Sequence, residues 1–357
     1  MRARELGIEI GQGTSGPLNA ITEVEGVRVG FTTLVEGDDV RTGVTVVLPP
    51  DEALFAGAHR LNGNGELTGL EWIRESGMLT TPVAITNTHS VGVVHDALIE
   101  HAIRTGKSPE DTWSLPVVGE TYDGTLNDVN GLHVRREHVF AALDDAAGGP
   151  LAEGNVGGGT GMISHGFKGG TGTASRVVEV DGARYVVAVL VQANHGRRDR
   201  LSVDGVPVGR AIPPERVPLP REPETGAGSI IGVVATDAPL LPGQCDRLAH
   251  RATLGVARAG GAGENSSGDL FLAFATGNRG LDGEGRTVPV EMLRNERING
   301  LFYAAIEATE EAIVNALLAA ETMSGRGGAI AYALEPDLLV DVMRRGGTSH
   351  SNAPRSA

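Results

Sequence analysis

The chain has 357 residues, and 30 Lys and Arg stand against 45 Asp and Glu, so its formal net charge is −15. At about 150 residues per domain, this length corresponds to two domains or one large one. Hydrophobic residues make up 40% of the chain and charged residues 21%, which allows a sizeable core and excludes wholesale disorder. The excess of negative charge disfavours binding to the phosphate backbone of nucleic acids and to anionic membrane surfaces. We therefore expect no nucleic acid and no membrane among its partners.

The first residues and the cysteine content bear on the compartment. Residues 1–6 lead into a glycine-rich segment at 11–16 without an apolar run, so we expect no secretory signal. No stretch approaches the roughly 18 consecutive apolar residues of a membrane-spanning helix. Cys245 is the single cysteine, which allows no internal disulfide and suits a reducing compartment. We expect a cytoplasmic protein.

Short apolar or β-branched runs predict β-strands. They occupy residues 27–31, 43–48, 83–87, 184–191 and 230–236. The last two runs are almost entirely apolar, which is typical of strands buried on both faces. The chain also has 52 glycines, about twice the ordinary usage of about 7%. Because they are scattered through the chain, they indicate many turns and close approaches between backbones.

Longer amphipathic segments predict helices, and a proline-rich segment predicts a connector. Residues 96–104 and 300–321 place apolar side chains at helical spacing. We expect the glutamates of the second helix to form a solvated face; they are Glu307, Glu310 and Glu311. Residues 212–228 carry five prolines, which exclude a helix or a central strand and predict an exposed connector.

Motifs for metals, nucleotides and common hydrolases are missing. None of the ten histidines has the HExxH spacing, and Cys245 has no partner cysteine. The glycine clusters at 157–161 and 169–173 resemble phosphate loops, but Lys168 follows Phe167 rather than a glycine, so the Walker register fails. No G-x-S-x-G nucleophile elbow occurs. We predict neither a metal site nor a cofactor.

Ser229 stands where the connector meets an apolar run, directly after Gly228. A serine hydroxyl is a weak nucleophile and needs an adjacent base. Cleavage of the Gly228–Ser229 bond would supply one, because the new α-amino group has a reference pKa of about 7.7–8.0.

The residues around Ser229 resemble a known family. Residues 228–242, GSIIGVVATDAPLLP, closely resemble the junction of the self-processing L-aminopeptidase/D-Ala-esterase-amidase family, to which the β-aminopeptidases also belong. Further segments fit the same family in order, at residues 17–30, 119–124, 157–162, 166–170, 191–196, 265–269 and 310–317. The resemblance covers nearly the whole chain.

This resemblance implies both a processing event and a fold. The chain would cut itself before Ser229, which becomes an N-terminal nucleophile. Residues 1–228 would form a larger α chain and residues 229–357 a smaller β chain, and the two would co-fold as one catalytic domain. The implied architecture is α/β, a four-layer αββα sandwich with helices on both outer faces, and four αβ units would assemble. Periodicity alone would also allow a Rossmann-like α/β fold.

The resemblance also implies a role for each matching site residue. Tyr122 and Asn194 match positions whose hydrogen bonds stabilise the oxyanion. Ser267 and Asp269 match a serine and acid pair that contacts the nucleophile and its amine, and their spacing on an extended segment places both on one face. Glu120 matches a carboxylate that binds the free amine of the substrate. We therefore expect an exopeptidase rather than an endopeptidase.

The expected activity is that of a serine-type aminopeptidase. This hydrolase would release N-terminal amino acids from small peptides, amides or esters with a free amine, through an acyl-enzyme. Two alternatives stay open: an acyltransferase of the ornithine acetyltransferase type, which uses threonine where this chain has serine, and a non-catalytic binding protein on the same scaffold. The sequence leaves open whether L-peptides, D-amino amides and esters, or β-peptides are preferred.

Overall fold

The structure is a computed structural model that describes residues 1–50, 53–106, 113–220 and 228–351. Two large sheets dominate it: a four-stranded sheet in the order β1-β2-β5-β6 and a six-stranded sheet in the order β4-β3-β12-β11-β10-β9. Two short sheets pair β7 with β8 and β13 with β14. The strands are β1 Arg28–Glu36, β2 Val40–Leu48, β3 Leu54–Arg60, β4 Met78–Leu79, β5 Val83–Asn87, β6 Val117–Thr121, β7 Ile163–Ser164, β8 Phe167–Lys168, β9 Gly170–Val180, β10 Ala183–Asn194, β11 Ser229–Thr236, β12 Asp269–Ala275, β13 Met323–Ser324 and β14 Ile330–Ala331.

Helices cover both outer faces of this pair of sheets. The α-helices are α1 Leu70–Ser76, α2 Val91–Arg104, α3 Arg136–Asp145, α4 Val208–Ala211, α5 Pro242–Arg258, α6 Asn299–Ala319 and α7 Pro336–Ser351. Helices α2 and α3 share one apolar cluster with the four-stranded sheet, and α5 and α6 share another with the six-stranded sheet. A third cluster lies between the two sheets. The four-layer αββα sandwich is therefore confirmed, and the single sheet of a Rossmann-like fold is not found.

The central strands of the six-stranded sheet are apolar on both faces because each face is covered. Strand β10 pairs antiparallel with β11, ending at Asn194↔Ser229, and β11 pairs parallel with β12. Along β11, Ile231 and Val233 face the other sheet, whereas Ile230 and Val234 face α5 and α6. This alternation follows from the two-residue period of a strand.

Two glycines in the sheets allow close packing of the covering helices. A Cβ at Gly30 in β1 would lie 1.9 Å from the carbonyl oxygen of Ala142 in α3, and a Cβ at Gly172 in β9 would lie 2.0 Å from the carbonyl oxygen of Ala312 in α6. Since real carbon and oxygen atoms do not approach so closely, only glycine lets these helices lie on the sheets.

The predicted elements are present with shifted ends. Strand β5 has the predicted bounds, and β10 and β11 contain the predicted runs. Helix α2 begins at Val91, five residues before the predicted start at 96, and α6 ends at Ala319 rather than at 321. Within residues 212–220 no helix or strand is found, as predicted for the connector. Its residues 221–227 lie outside the described residues.

The expectation of a solvated glutamate face on α6 is wrong. It concerned Glu307, Glu310 and Glu311. Glu310 and Glu311 are fully buried, and the side chain of Glu307 is only 14% exposed and binds Arg176 at 3.2 Å. Arg258 binds Glu310, while Arg4 and Arg176 bind Glu311 at 3.0 and 2.7 Å. The arginines come from distant parts of the chain and neutralise charges that the helical pattern alone would leave in water.

Strands from both sides of the predicted cut form one sheet. Strand β11 begins at Ser229 and β12 follows it, and both lie between β10 and β3, which precede the cut. Neither part of the chain could keep this sheet without the other. Among the described helices, none combines the length and the apolar character that crossing a bilayer requires.

Candidate active site

Ser229 is the first residue of β11 and is 5% exposed. Its direct partner across the antiparallel ladder is Asn194, the last residue of β10. Residues directly opposite in such a ladder project from the same face, with Cβ atoms about 4.5–5.5 Å apart. Because Ile231 faces the interior between the sheets, Ser229 and Asn194 also point to that side, at the open end of the strands.

The hydroxyl of Ser229 is held by the main chain. The N–H of Gly268 donates a hydrogen bond to Ser229 Oγ at 3.1 Å. A Cβ at Gly268 would lie 2.6 Å from the carbonyl oxygen of Asn64 and from the Cα of Gly65, so this position accepts only glycine. The hydrogen bond orients Oγ and stabilises negative charge that develops on it.

Ser267 and Asp269 flank that glycine and are joined to each other. The Ser267 hydroxyl donates to Asp269 Oδ1 at 2.6 Å, and the N–H of Ile230 donates to the same oxygen at 3.2 Å. Asn62 Oδ1 accepts the N–H of Asp269 at 2.6 Å. Burial raises the pKa of the Asp269 carboxyl, and the bond from Ser267 opposes that rise. The pair therefore lies against the residue that follows the candidate nucleophile.

The side-chain amide of Asn194 is fixed from two directions. Its Oδ1 accepts the N–H of Ile163 at 2.8 Å, and its Nδ2 donates to the carbonyl oxygen of Tyr122 at 2.9 Å. An amide nitrogen has two hydrogens, so one hydrogen on Nδ2 has no partner among the described residues. Asn194 is 5% exposed.

Tyr122 meets this cluster through its backbone rather than its phenol. Its side chain is 47% exposed, and the ring lies over Gly124, where a Cβ would come within 2.2 Å of the hydroxyl. Among the described residues, the hydroxyl makes no hydrogen bond with Ser229 or Asn194. The structure thus brings Tyr122 to the site without placing its phenol at an oxyanion.

Glu120 is a buried carboxylate on the facing sheet. It is 3% exposed, its Oε1 accepts the N–H of Glu66 at 3.0 Å, and its Oε2 accepts the hydroxyl of Thr88. A Cβ at Gly65 would lie 3.1 Å from both Glu120 Oε1 and the Cα of Gly268, so a single glycine separates this carboxylate from the loop that holds Ser229. Burial raises its pKa, and the bonds from Thr88 and Glu66 oppose the rise.

No lysine or arginine side chain forms an ion pair with Glu120 within the part of the chain that the structure describes. Gly65 and Glu66, which lie against Glu120, line a groove of about 360 Å³ together with Arg60 and Trp72, although Glu120 itself is not part of the lining. A buried carboxylate without a counter-ion is costly, and a ligand that brings an ammonium group would remove that cost. The contacts through Gly65 place Glu120 next to the loop that holds Ser229.

Several residues of the cluster were not predicted. Gly268 lies inside the matching segment at 265–269, and a glycine directly between the two residues singled out there was the signal that could have identified it. Asn62, Thr88 and Ile163 carried no such signal, because their contacts join positions far apart in the chain. No group of three His, Cys, Asp or Glu side chains in the described ranges could hold a metal ion.

The model of one protein family, described as peptidase family S58, matches residues 19–331. The chain belongs to peptidase family S58. It is accordingly a serine aminopeptidase, a hydrolase, and family membership does not favour the acyltransferase alternative.

Several known proteins are similar to almost the whole chain. Beta-peptidyl aminopeptidase BapA from Sphingosinicella microcystinivorans is 49% identical over 350 residues, which are 92% of this chain and 88% of that protein. Among solved structures, a beta-aminopeptidase from Burkholderia sp. is 54% identical with a TM-score of 0.91, covering 97% of this chain and 99% of that one. The L-aminopeptidase D-Ala-esterase/amidase from Ochrobactrum anthropi, described as a variant of the Ntn hydrolase fold, is 44% identical with a TM-score of 0.88, again over 97% and 99%. This S58 member thus shares its fold with aminopeptidases.

Proposed function

We propose that the chain cuts itself between Gly228 and Ser229, and that Ser229 then acts as the N-terminal nucleophile of the aminopeptidase. The observation that carries the proposal is the placement of Ser229: its Oγ is held by the N–H of Gly268 and it lies directly opposite Asn194. A Cβ at Gly228 would lie 2.0 Å from the carbonyl oxygen of Asn194, so the bond to be cut packs against the same strand.

Self-cleavage and substrate hydrolysis would both use the hydroxyl of Ser229 as the nucleophile. In the precursor, Ser229 Oγ attacks the Gly228 carbonyl carbon, the peptide C–N bond breaks, and water hydrolyses the resulting ester to leave a Gly228 carboxylate and a Ser229 amine. In the mature enzyme that amine takes the proton of its own hydroxyl as Oγ attacks the substrate carbonyl. The proton then goes to the leaving amine or alcohol, and the acyl-enzyme is released by water with the same amine as base.

The surrounding residues would divide the remaining tasks. The N–H of Asn194 that makes no bond among the described residues would donate to the tetrahedral oxyanion, and Tyr122 could join it only after its ring turns away from Gly124. Asp269, held by Ser267, would orient the α-amine beside Ile230. Glu120 would bind the ammonium group of the substrate, which limits cleavage to the first residue of a chain.

The mass of the purified protein tests the cut. We expect the wild type to give two polypeptides, the smaller beginning at Ser229, and Ser229→Ala to give one intact inactive chain. Ser266→Ala is the matched control, because in the described residues its hydroxyl makes no hydrogen bond, and it should be cut as the wild type is. A Ser229→Ala protein that is still cut at this bond would refute the proposal.

We infer further that N-terminal β-amino acids are the preferred substrates. The support is that the relatives with 54% and 49% identity are a beta-aminopeptidase and a beta-peptidyl aminopeptidase, whereas the L-aminopeptidase D-Ala-esterase/amidase has 44%. Comparing kcat/KM for p-nitroanilides of β-homoalanine, L-alanine and D-alanine tests this inference. A higher value for L- or D-alanine would overturn it without touching the proposed nucleophile.

We also propose that four αβ units associate and that the protein works in the cytoplasm. The family resemblance supports the first statement, and the single cysteine in an acidic chain is compatible with the second. Light scattering coupled to gel filtration should give the mass of four αβ units, and fractionation of source cells should place the activity in the cytoplasm. A smaller assembly or an exported enzyme would contradict the respective statement.

A further inference from the structure

Lys168 is a fully buried lysine that the proposed reaction does not use. Its Nζ donates hydrogen bonds to the carbonyl oxygens of Gly159, Met162 and Gly169 at 3.3, 2.9 and 2.8 Å. In the described ranges, no carboxylate lies within ion-pair distance of this ammonium group. Lysine is almost never fully buried without a partner charge, because removing the ammonium group from water is costly. The cost points to a task for this side chain.

The second of these carbonyls connects Lys168 to the candidate site. The Met162 carbonyl and the Ile163 N–H belong to one planar peptide group, whose resonance couples its oxygen to its nitrogen. That N–H donates to Asn194 Oδ1 at 2.8 Å. A cation at the peptide oxygen withdraws electron density from the nitrogen, which makes the N–H a stronger donor.

The same coupling repeats in the Asn194 side chain, which is also a planar amide. A stronger hydrogen bond to its Oδ1 makes both hydrogens on its Nδ2 more positive. One of them is bound by the carbonyl oxygen of Tyr122 at 2.9 Å, and the other is the donor assigned above to the oxyanion. Two amide groups thus separate the Lys168 charge from the reacting oxygen.

We propose that Lys168 is a positioning residue that strengthens the oxyanion donor of Asn194 through the Met162–Ile163 peptide group. This inference rests on the oxyanion role proposed for Asn194. Burial lowers the pKa of Lys168 to about 7, so the group carries its full charge in acidic solution and loses it as the pH rises through neutrality.

The first experiment compares Lys168→Met with the wild type in kcat, KM and the affinity for a substrate-like boronic acid, which forms a tetrahedral adduct with serine. We expect kcat to fall roughly tenfold and boronate affinity to fall in parallel, while KM changes less than about threefold, because only the tetrahedral state uses the polarised donor. A rise in KM as large as the fall in boronate affinity would instead indicate a merely structural role.

Arg198→Met is the matched control for the loss of a buried cation. Arg198 is also buried and donates to the carbonyl oxygens of His165 and Gly166 at 2.9 and 2.6 Å, in the same loop but not at the Met162–Ile163 peptide group. The Arg198→Met substitution should lower thermal stability without changing the ratio of boronate affinity to KM. If Lys168→Met proves too unstable to purify, Lys168→Gln keeps a donor without the charge and should show the same selective loss.

A double-mutant cycle separates this inference from the proposed function. Asn194→Ala should lower kcat by about 10²–10³-fold, and adding Lys168→Met to it should cost little more. If Asn194→Ala leaves kcat intact, the oxyanion role itself fails. If Asn194→Ala is impaired but the two effects multiply independently, or if Lys168→Met keeps its kcat, only the role of Lys168 fails.

Discussion

At the scale of single residues, the charge state of Glu120 should control substrate binding. The carboxylate is 3% exposed, and its pKa is raised mainly by burial, with the charge of Glu66 adding to the rise and His89 and the bond from Thr88 opposing it. Only the ionised form attracts an ammonium group, and it exists above the pKa. Binding should therefore weaken as the pH falls, and at a higher pH than for an ordinary glutamate.

The expected result is a KM that rises toward acidic pH while kcat changes less. Glu120→Gln should raise KM roughly 10- to 100-fold, the range of a hydrogen bond to a charged group, and should remove that acidic rise. Glu66→Gln is the comparison: it retains the backbone N–H that binds Glu120 and should keep the acidic rise in KM, moved to lower pH because the charge of Glu66 no longer raises the pKa of Glu120. Steady-state kinetics between pH 5 and 8 measure both variants. A pH-independent KM in the wild type would contradict the role of Glu120.

The candidate nucleophile depends on glycines more than on side chains. Gly268 donates the hydrogen bond to Ser229, and Gly65 lies between it and Glu120. These positions bring two carboxylates and a hydroxyl to one place because no side chain keeps the loops apart. The site is therefore sensitive to changes that alter no functional group.

At the scale of elements, the contact between β9 and α6 decides how the outer layer packs. A Cβ at Gly172 would lie 2.0 Å from the carbonyl oxygen of Ala312 and 2.7 Å from the N of Ala316. Gly172→Ala must push the helix away from the sheet, which should lower the free energy of unfolding by about 1–3 kcal/mol, as overpacking does.

Gly243→Ala in α5 is the control for this glycine prediction. No atom lies within 4 Å of the added Cβ, and alanine has the higher helix propensity, so stability should stay the same or rise by about 0.5–1 kcal/mol. Urea denaturation of both variants measures the difference. Equal destabilisation by the two substitutions would contradict the close-packing argument.

At the scale of the whole molecule, a buried ion cluster joins the N-terminal segment to strand β9 and helix α6. Arg4 and the fully buried Arg176 bind the fully buried Glu311 at 3.0 and 2.7 Å, and Asn19 donates to it at 2.6 Å. Removing one member of such a cluster leaves an uncompensated charge.

Glu311→Gln should therefore lower the free energy of unfolding by about 3–5 kcal/mol. The exposed pair Glu71 and Arg74 offers the comparison, because Glu71→Gln should cost at most about 1 kcal/mol. Thermal unfolding monitored by circular dichroism measures both. Similar costs for the two substitutions would show that the cluster contributes no more than a surface pair.

The elements that the sequence predicted well are those whose signal is local. Strands β10 and β11 follow from their apolar, β-branched runs, and the ends of α2 and α6 were missed because capping and tertiary packing decide where a helix stops. The glutamates of α6 were misjudged for a related reason. Their arginine partners lie far away in the sequence, so no helical pattern could indicate that they are neutralised inside the protein.

By itself the sequence indicated the αββα layering and the membership of a peptidase family, because contiguous segments resemble that family in order; its local apolar runs alone left a Rossmann-like fold open. Only the tertiary structure decided which backbone groups meet at that serine. Asn62 reaches Asp269 across 207 residues and Ile163 reaches Asn194 across 31. Such contacts arise when separate loops pack together, and hydrogen bonding depends on distance and direction in space rather than on neighbourhood in the chain.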